Sequence, residues 1–211
     1  PLYSGATLGT MPRITLLVAL AVPLAACASL DTGPVPTRAV DFKSSAIRQP
    51  AIYVRFAFGQ GQWSERERAS LPRDYEGALL EGLNAKAVLA KDVQLVGGTD
   101  SRFDGRAALA RARALGADHA ILVDARLGQE VASFCTETKR PLRGTATVLS
   151  QEVEVLRASD GAARLRLIRG PALAVTDVDV DCDNPRQSGR RSTDEMLSAA
   201  VEKILFRVFG P

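Results

Sequence analysis

The chain has 211 residues, of which 46% are hydrophobic and 24% charged, and its formal net charge is +3. This composition is that of an ordinary folded domain and excludes a disordered or collagen-like chain. The single histidine excludes a metal site with two or more histidine ligands. Three cysteines are too few for a disulfide-dense scaffold or a four-cysteine zinc site.

The N-terminal region has the layout of a secretory signal. Residues 1–10 carry no charge, and we expect them to be translated sequence upstream of the true start at Met11. One positive residue then precedes a run, Ile14–Val22, that is apolar except for Thr15, and small residues follow at the expected cleavage site. This apolar stretch is too short to span about 30 Å of hydrocarbon as a helix. The sequence therefore predicts a signal peptide over residues 11–26 rather than a transmembrane anchor.

The peptide Leu24-Ala25-Ala26-Cys27 follows the apolar run after a single residue, Pro23. It resembles the lipobox of bacterial lipoproteins, in which the cysteine is lipidated and becomes the first mature residue. The resemblance implies that Cys27 is a membrane anchor, because several acyl chains on one residue hold a protein stably at a bilayer. Ala28 and Ser29 stand where an aspartate usually marks inner-membrane retention, so the resemblance implies the outer membrane. A non-lipidated signal peptide with an alanine-rich cleavage site is the alternative.

The segment that follows is expected to hold a folded body away from the membrane. Residues 27–50 are predicted to be the lipidated cysteine and a flexible tether, because Gly33-Pro34-Val35-Pro36 blocks regular structure and little periodicity follows. The folded domain is expected to occupy residues 51–211.

The body alternates between strand-like and helix-like patterns. The predicted elements are a strand at Ile52–Phe58, a helix around Tyr75–Ala87, a strand at Val93–Val96, a helix at Asp104–Leu115, a strand at His119–Leu127, a hairpin of Thr145–Leu156 and Ala163–Ile168, a strand at Leu173–Val180, and a helix after the capping box Ser192–Glu195.

The order of these elements predicts the fold class. Strands that alternate with helices, followed by antiparallel strands, indicate a single α/β domain with helices packed on a mixed sheet. The peptide Ser159-Asp160-Gly161 between the two hairpin strands is a strong turn signal.

The second predicted helix ends in Leu115-Gly116-Ala117-Asp118, and an apolar strand follows at His119–Val123. This element resembles one found in a group of envelope α/β domains. The group comprises the curli-secretion lipoprotein, the penicillin-binding-protein activator lipoproteins and the N-terminal domain of the Tol-Pal translocation protein. The resemblance in topology covers residues 51–211. It implies a periplasmic binding or assembly domain and transfers no catalytic residue, and the two extra cysteines and a proline-interrupted connection argue against a pore-forming role.

Export places the two remaining cysteines in an oxidising compartment. Cys135 and Cys182 form an even pair in an oxidising compartment, and both have polar neighbours. Cys135 follows the predicted central strand, and Cys182 is expected to end a later strand of the same sheet. The sequence therefore predicts a disulfide between them, with a free thiol as the alternative.

Clustered charges offer the remaining candidate chemistry. Four alternating aspartates are expected to form a solvated strand face, with a cation site as the alternative. A calcium loop is excluded, because Cys182 stands where glycine is required. Two arginine groups are expected to be solvated surface, with an anionic ligand as the alternative. These residues are Asp177, Asp179, Asp181 and Asp183, then Arg164, Arg166 and Arg169, and finally Arg186, Arg190 and Arg191.

No nucleophile elbow, phosphate loop or zinc-protease motif is present, and His119 has no partner that the sequence identifies. We expect no enzymatic activity, cofactor, metal or nucleic-acid partner. One hypothesis is an outer-membrane-anchored periplasmic lipoprotein that docks on another envelope protein or on itself. The other is a transporter-accessory lipoprotein with a small or lipidic ligand between sheet and helices. An exposed apolar patch over a filled core favours the first, and a deep cavity favours the second.

Overall fold

A computed structural model describes residues 37–96, 104–135, 141–183 and 188–210. The expected signal peptide, the lipobox with Cys27 and the first part of the expected tether lie outside these residues, as does Arg186. The described residues form a mixed α/β domain, as the sequence predicts.

The framework of the domain is a seven-stranded sheet in the order β1-β6-β5-β4-β2-β3, with β7 paired to β5. Strand β2 is parallel to both of its neighbours, and the other pairs in this sheet are antiparallel. Strands β8 and β9 pair in a separate two-stranded sheet. The strands are β1 (Thr37–Arg38), β2 (Ala51–Phe58), β3 (Asp92–Leu95), β4 (His119–Phe134), β5 (Leu142–Arg157), β6 (Ala163–Leu167), β7 (Val175–Thr176), β8 (Val178–Asp179) and β9 (Gly189–Arg190).

Two long helices, α1 (Glu65–Ala85) and α3 (Thr193–Phe209), cover one face of the sheet. Each begins with a capping box, in which a serine and a glutamate exchange hydrogen bonds across the first turn. The bonds from Ser192 lower the pKa of Glu195 below its usual value. Alternate apolar side chains of the central strands meet the apolar stripes of both helices, which places the core between these two layers. The stripe of α1 is Leu71, Tyr75, Leu79 and Leu83.

The third helix, α2 (Gly105–Ala114), is short and covers only part of the opposite face. Asp104 caps it by accepting hydrogen bonds from the backbone amides of Arg106 and Ala107, as the sequence predicts. Its buried residues are alanines, which let the helix approach the sheet closely. Beyond α2 this face carries ion pairs, among them Arg55 with Asp124.

The predicted hairpin is confirmed. Strands β5 and β6 pair antiparallel, with Glu154 opposite Arg166. In the turn the Asp160 carboxylate accepts a hydrogen bond from the Ala162 amide, and Gly161 has a φ of +77°, a conformation that favours glycine.

The expected tether over residues 27–50 is wrong for its described part. Thr37–Arg38 pairs with β6, and Phe42 and Ile47 belong to the hydrophobic core. The segment is irregular between these points, with one 3₁₀ turn at Ser44–Ala46, so it shows no periodicity in sequence although it is part of the domain.

Two predicted strands also have different limits. Strand β4 continues to Phe134 rather than ending at Leu127, because its pairing with β5 extends past the core. The predicted strand at Leu173–Val180 is broken into a 3₁₀ turn at Pro171–Leu173 and the short strands β7 and β8. Between them the Asp177 carboxylate accepts a hydrogen bond from the Thr147 amide.

None of the helices in the described ranges is both long enough and apolar enough to cross a membrane.

Candidate docking surfaces

A hairpin arm, defined as residues 129–134 of β4 and 142–147 of β5, extends past the point where β2 leaves the sheet. Strand β2 ends at Phe58, opposite Leu127. Two further backbone hydrogen bonds follow, from Gly59 to Leu127 and from Gln129 to Gln60. Beyond them the described residues provide no strand to pair with the outer edge of β4.

Among the described residues, the backbone groups along the open edge of the arm have no strand partner beyond Gln129. The Gln129 amide points toward β2, and alternate residues of a strand direct their backbone groups to the same side. The N–H and C=O groups of Val131 and Ser133 therefore point outward from the edge. The Val131 side chain is 76% exposed. A notch of about 510 Å³ lies at the base of this edge, between Gly61 and Val131.

The tip of the arm is held by the predicted disulfide. Cys135 directly follows β4, and its Cα atom lies 5.5 Å from that of Cys182, to which it is bonded. Cys182 follows β8, which belongs to the two-stranded sheet, so the expectation that it ends a strand of the main sheet is wrong. The bond connects the arm tip to the segment that follows β8.

The alternating aspartates lie within and on both sides of β8, and three of them have basic or backbone partners. Arg190 pairs with Asp177 at 3.3 Å, and Arg191 pairs with Asp179 at 3.1 Å. Asp181 accepts a hydrogen bond from the Asp183 amide. Within the part of the chain that the structure describes, no group of acidic, histidine or cysteine side chains is arranged to hold a metal ion.

The arginine group at positions 164, 166 and 169 also lies beside carboxylates. Arg164 pairs with Asp41, Arg166 with Glu154, and Arg169 with Asp124. The Arg164 guanidinium lowers the pKa of the Asp41 carboxyl. Each guanidinium group thus has a carboxylate partner within the protein, although Nε of Arg169 is buried without a hydrogen bond in the described residues, and this pairing does not favour the alternative of an anionic ligand.

The lone histidine begins β4 and is buried. Its Nδ1 atom lies 3.1 Å from the Asp118 carboxylate. The other oxygen of Asp118 accepts hydrogen bonds of 2.7 Å from the amides of Arg48 and Gln49. Asp118 therefore fastens the N-terminal segment to the start of the central strand.

A groove of about 1270 Å³ lies at the opposite end of the sheet from the arm. Its walls are the C-terminal part of α1 with the following residues, the C-terminal half of α3, and the segment 44–49. Leu89 is 66% exposed and Phe206 is 53% exposed, both large values for apolar side chains. The charged residues of the lining are Arg48, Lys86 and Glu202.

The space between the sheet and the two long helices is filled by buried side chains. Gln151, which is fully buried on β5, connects the layers there. Its side-chain oxygen accepts a hydrogen bond from the Tyr75 hydroxyl, and its nitrogen donates to the carbonyls of Leu173 and Ala200. Burial raises the pKa of Tyr75 above its usual value.

No family model and no curated protein matches the chain. Solved structures of low sequence identity are similar to it. The PelC dodecamer from Paraburkholderia phytofirmans is 14% identical, with 84% of this chain and 96% of that chain covered and a TM-score of 0.40. Lipoprotein GNA1162 from Neisseria meningitidis is 10% identical, with coverages of 77% and 100% and a TM-score of 0.31. Protein XCC0632 from Xanthomonas campestris is 13% identical, with coverages of 83% and 88% and a TM-score of 0.27.

Proposed function

We propose that the chain is an outer-membrane-anchored periplasmic lipoprotein that acts as a non-enzymatic docking module for another envelope protein. Lipidation at Cys27 supplies the anchor in this proposal, and the folded domain supplies the docking surface. The observation that carries the proposal is the open edge of β4 in the hairpin arm. The proposal needs no cofactor, metal or nucleic acid.

The docking mode that fits this edge is addition of a strand. An extended segment of the partner can occupy the line that β2 leaves at Gly59 and pair with the outward backbone groups of Val131 and Ser133. The notch beside Gly61 provides room for the start of such a segment. The exposed Val131 side chain offers an apolar contact for one of its residues.

Two features of the arm favour an edge that binds a partner strand over an edge that stays exposed to solvent. Natural proteins blunt exposed edges with charged side chains, above all lysine, or with proline, and Glu130 is the one such residue in the segment 129–134. The disulfide at Cys135 also restricts the arm before binding, which lowers the conformational entropy that a partner must overcome.

The alternative, a lipoprotein that carries a small or lipidic ligand between sheet and helices, is not favoured by the packing. Tyr75, Leu79 and Ile204 occupy that space and are at most 2% exposed. The groove beside Phe206 lies at the surface instead.

Site-specific photo-crosslinking in intact cells tests the proposal. With p-benzoylphenylalanine in place of Val131, we expect a crosslink to an envelope protein. In the same chain, Ser133→Pro removes one outward N–H of the edge and is expected to abolish that crosslink. The matched control, Ser133→Ala, keeps the N–H and should keep the crosslink. Formation of the Cys135–Cys182 bond in each variant verifies that the arm has folded.

Two results would contradict this docking mode. A crosslink that persists unchanged in Ser133→Pro excludes pairing through the edge. A product that contains two copies of this chain replaces the foreign partner with self-association.

A further inference from the structure

We infer that the groove between α1, α3 and segment 44–49 is a lipid-facing surface that rests on a bilayer containing anionic phospholipid. The inference deepens the proposed function and rests on its lipid anchor at Cys27. It assigns the groove, whose lining includes Leu89 and Phe206, to the membrane and leaves the hairpin arm to the protein partner.

The length of chain before the domain limits how far the groove can lie from the membrane. Nine residues, 28–36, separate Cys27 from Thr37. Even fully extended, the chain from Cys27 to Thr37 spans at most about 35 Å. Segment 44–49, one wall of the groove, begins only seven residues after Thr37.

The register of the sheet places the groove at the end that faces away from the arm. Thr37 lies opposite Arg166, which lies level with Glu154 and Leu122 through the sheet. From Leu122 to the arm tip at Phe134, strand β4 rises about 40 Å. From Thr37 the chain instead runs toward the start of β4, where Asp118 binds the amides of Arg48 and Gln49. With the groove toward the bilayer, the arm therefore points into the periplasm.

The chemistry of the groove fits the interface of a bilayer. Leu89 and Phe206 expose apolar side chains that can enter the acyl boundary. Their basic neighbours, Arg48 and Lys86, can reach phosphate groups with their long side chains. Lys86 also donates a 2.7 Å hydrogen bond to the Gly210 carbonyl, which fixes its ammonium group beside α3.

The charge around the groove is predominantly positive. Residues 42–50 contain Lys43 and Arg48 and no acidic residue. In the described lining, Arg48 and Lys86 outnumber the acidic Glu202, so anionic headgroups are favoured over neutral ones.

Photo-crosslinking to lipid tests the inference on the full lipidated chain. With p-benzoylphenylalanine in place of Phe206 or Leu89, we expect phospholipid adducts, detected as a mass increase of the peptide that contains the label. The matched control is Leu80, which is also exposed on α1 but does not line the groove, and it is expected to give a several-fold lower yield. In reconstituted vesicles, the yield at Phe206 should be higher with phosphatidylglycerol than with phosphatidylcholine alone, and Arg48→Glu should reduce it.

The outcomes separate this inference from the anchor on which it rests. If the chain stays in the membrane fraction but the label at Phe206 gives no more lipid adduct than the label at Leu80, the groove does not face the bilayer. A protein crosslink at Phe206 would likewise overturn the inference and assign the groove to a protein. If the chain instead leaves the membrane fraction altogether, the proposed anchor is the part that fails, and the inference fails with it.

Discussion

At the scale of single residues, Gln151 is the polar group on which the core depends most. It is fully buried, and its three hydrogen bonds join α1, α3 and the 3₁₀ turn at Pro171–Leu173 to β5. A buried polar group that loses its partner costs about 1–3 kcal/mol of folding free energy.

We expect Tyr75→Phe to destabilise the domain by roughly 1–3 kcal/mol, because it leaves the Gln151 side-chain oxygen without its hydrogen bond. Gln151→Leu should cost more, because it also removes the donor to the carbonyls of Leu173 and Ala200. The double variant should cost less than the sum of the two, since it removes both partners of one bond. Urea unfolding of the three variants measures this coupling. Costs that simply add would show that the Tyr75–Gln151 bond contributes nothing on its own.

The disulfide is the second residue-scale feature with a measurable effect. Opening the Cys135–Cys182 bond frees a loop whose closure has a chain entropy worth on the order of 4 kcal/mol. We expect Cys135→Ser to lower the unfolding free energy by roughly 2–5 kcal/mol. Reduction of the wild-type protein should have the same effect, and reduction of the variant should have none. Labelling of thiols at both positions in denatured, unreduced wild-type protein would remove the bond from the account.

At the scale of elements, helices α1 and α3 approach closely at one glycine. A Cβ atom on Gly82 would lie 2.3 Å from Cδ1 of Leu205 and 3.3 Å from Cγ1 of Val201. A Cβ atom on Gly77, in the same helix, would meet no atom within 4 Å. The pair therefore offers a matched comparison of helix propensity and helix packing.

We expect Gly77→Ala to stabilise the domain by roughly 0.5–1 kcal/mol, because alanine restricts the unfolded chain at an exposed helical position. Gly82→Ala gains the same propensity but must displace the end of the Leu205 side chain. Relative to Gly77→Ala, we expect it to lose roughly 1–3 kcal/mol. Thermal unfolding of both variants decides the matter, and equal stabilisation by both would mean that the two helices are not in close contact at Gly82.

Elements that are marked by a local sequence pattern can be predicted from the sequence, and pairings between distant residues cannot. The alternating pattern of β2, the capping box of α3 and the turn at Ser159-Asp160-Gly161 are local signals, and the structure has each element where the pattern predicts it. The pairing of Thr37 with Arg166 joins residues far apart in the chain, and no local pattern marks it. The local patterns alone therefore predict a tether for the segment before β2.

The candidate surfaces depend on the relative lengths of neighbouring elements. The Gly59-Gln60-Gly61 turn can be recognised in the sequence. The open edge exists only because β4 extends further than β2. The length of β4 is hidden in sequence, because its final residues lack the apolar alternation of a strand that covers a core. The groove forms from three segments that meet only in the folded domain. The pairing of Cys135 with Cys182 was accessible from the sequence because the expected compartment leaves these two residues as the available pair.

At the scale of the whole molecule, the proposed domain has two functional ends, the groove and the hairpin arm. The groove end lies on the same side of the sheet as Thr37, and the tip of the hairpin arm at Phe134 lies about 40 Å along β4 from Leu122, in the other direction. The placement of the two surfaces at opposite ends matters only for a protein that is held at a membrane. The anchor at Cys27 is therefore the claim on which the arrangement depends.

Labelling of intact cells with an alkyne analogue of palmitate, followed by membrane fractionation, tests that claim directly. We expect the wild-type chain to take up label and remain with the membranes, because the proposed anchor places the acyl chains on Cys27. Cys27→Ala should lose the label and leave the membrane fraction, whereas Cys135→Ser, the control for loss of a cysteine, should keep both. Label and membrane association that persist in Cys27→Ala, or that are absent from the wild-type chain, would contradict the account.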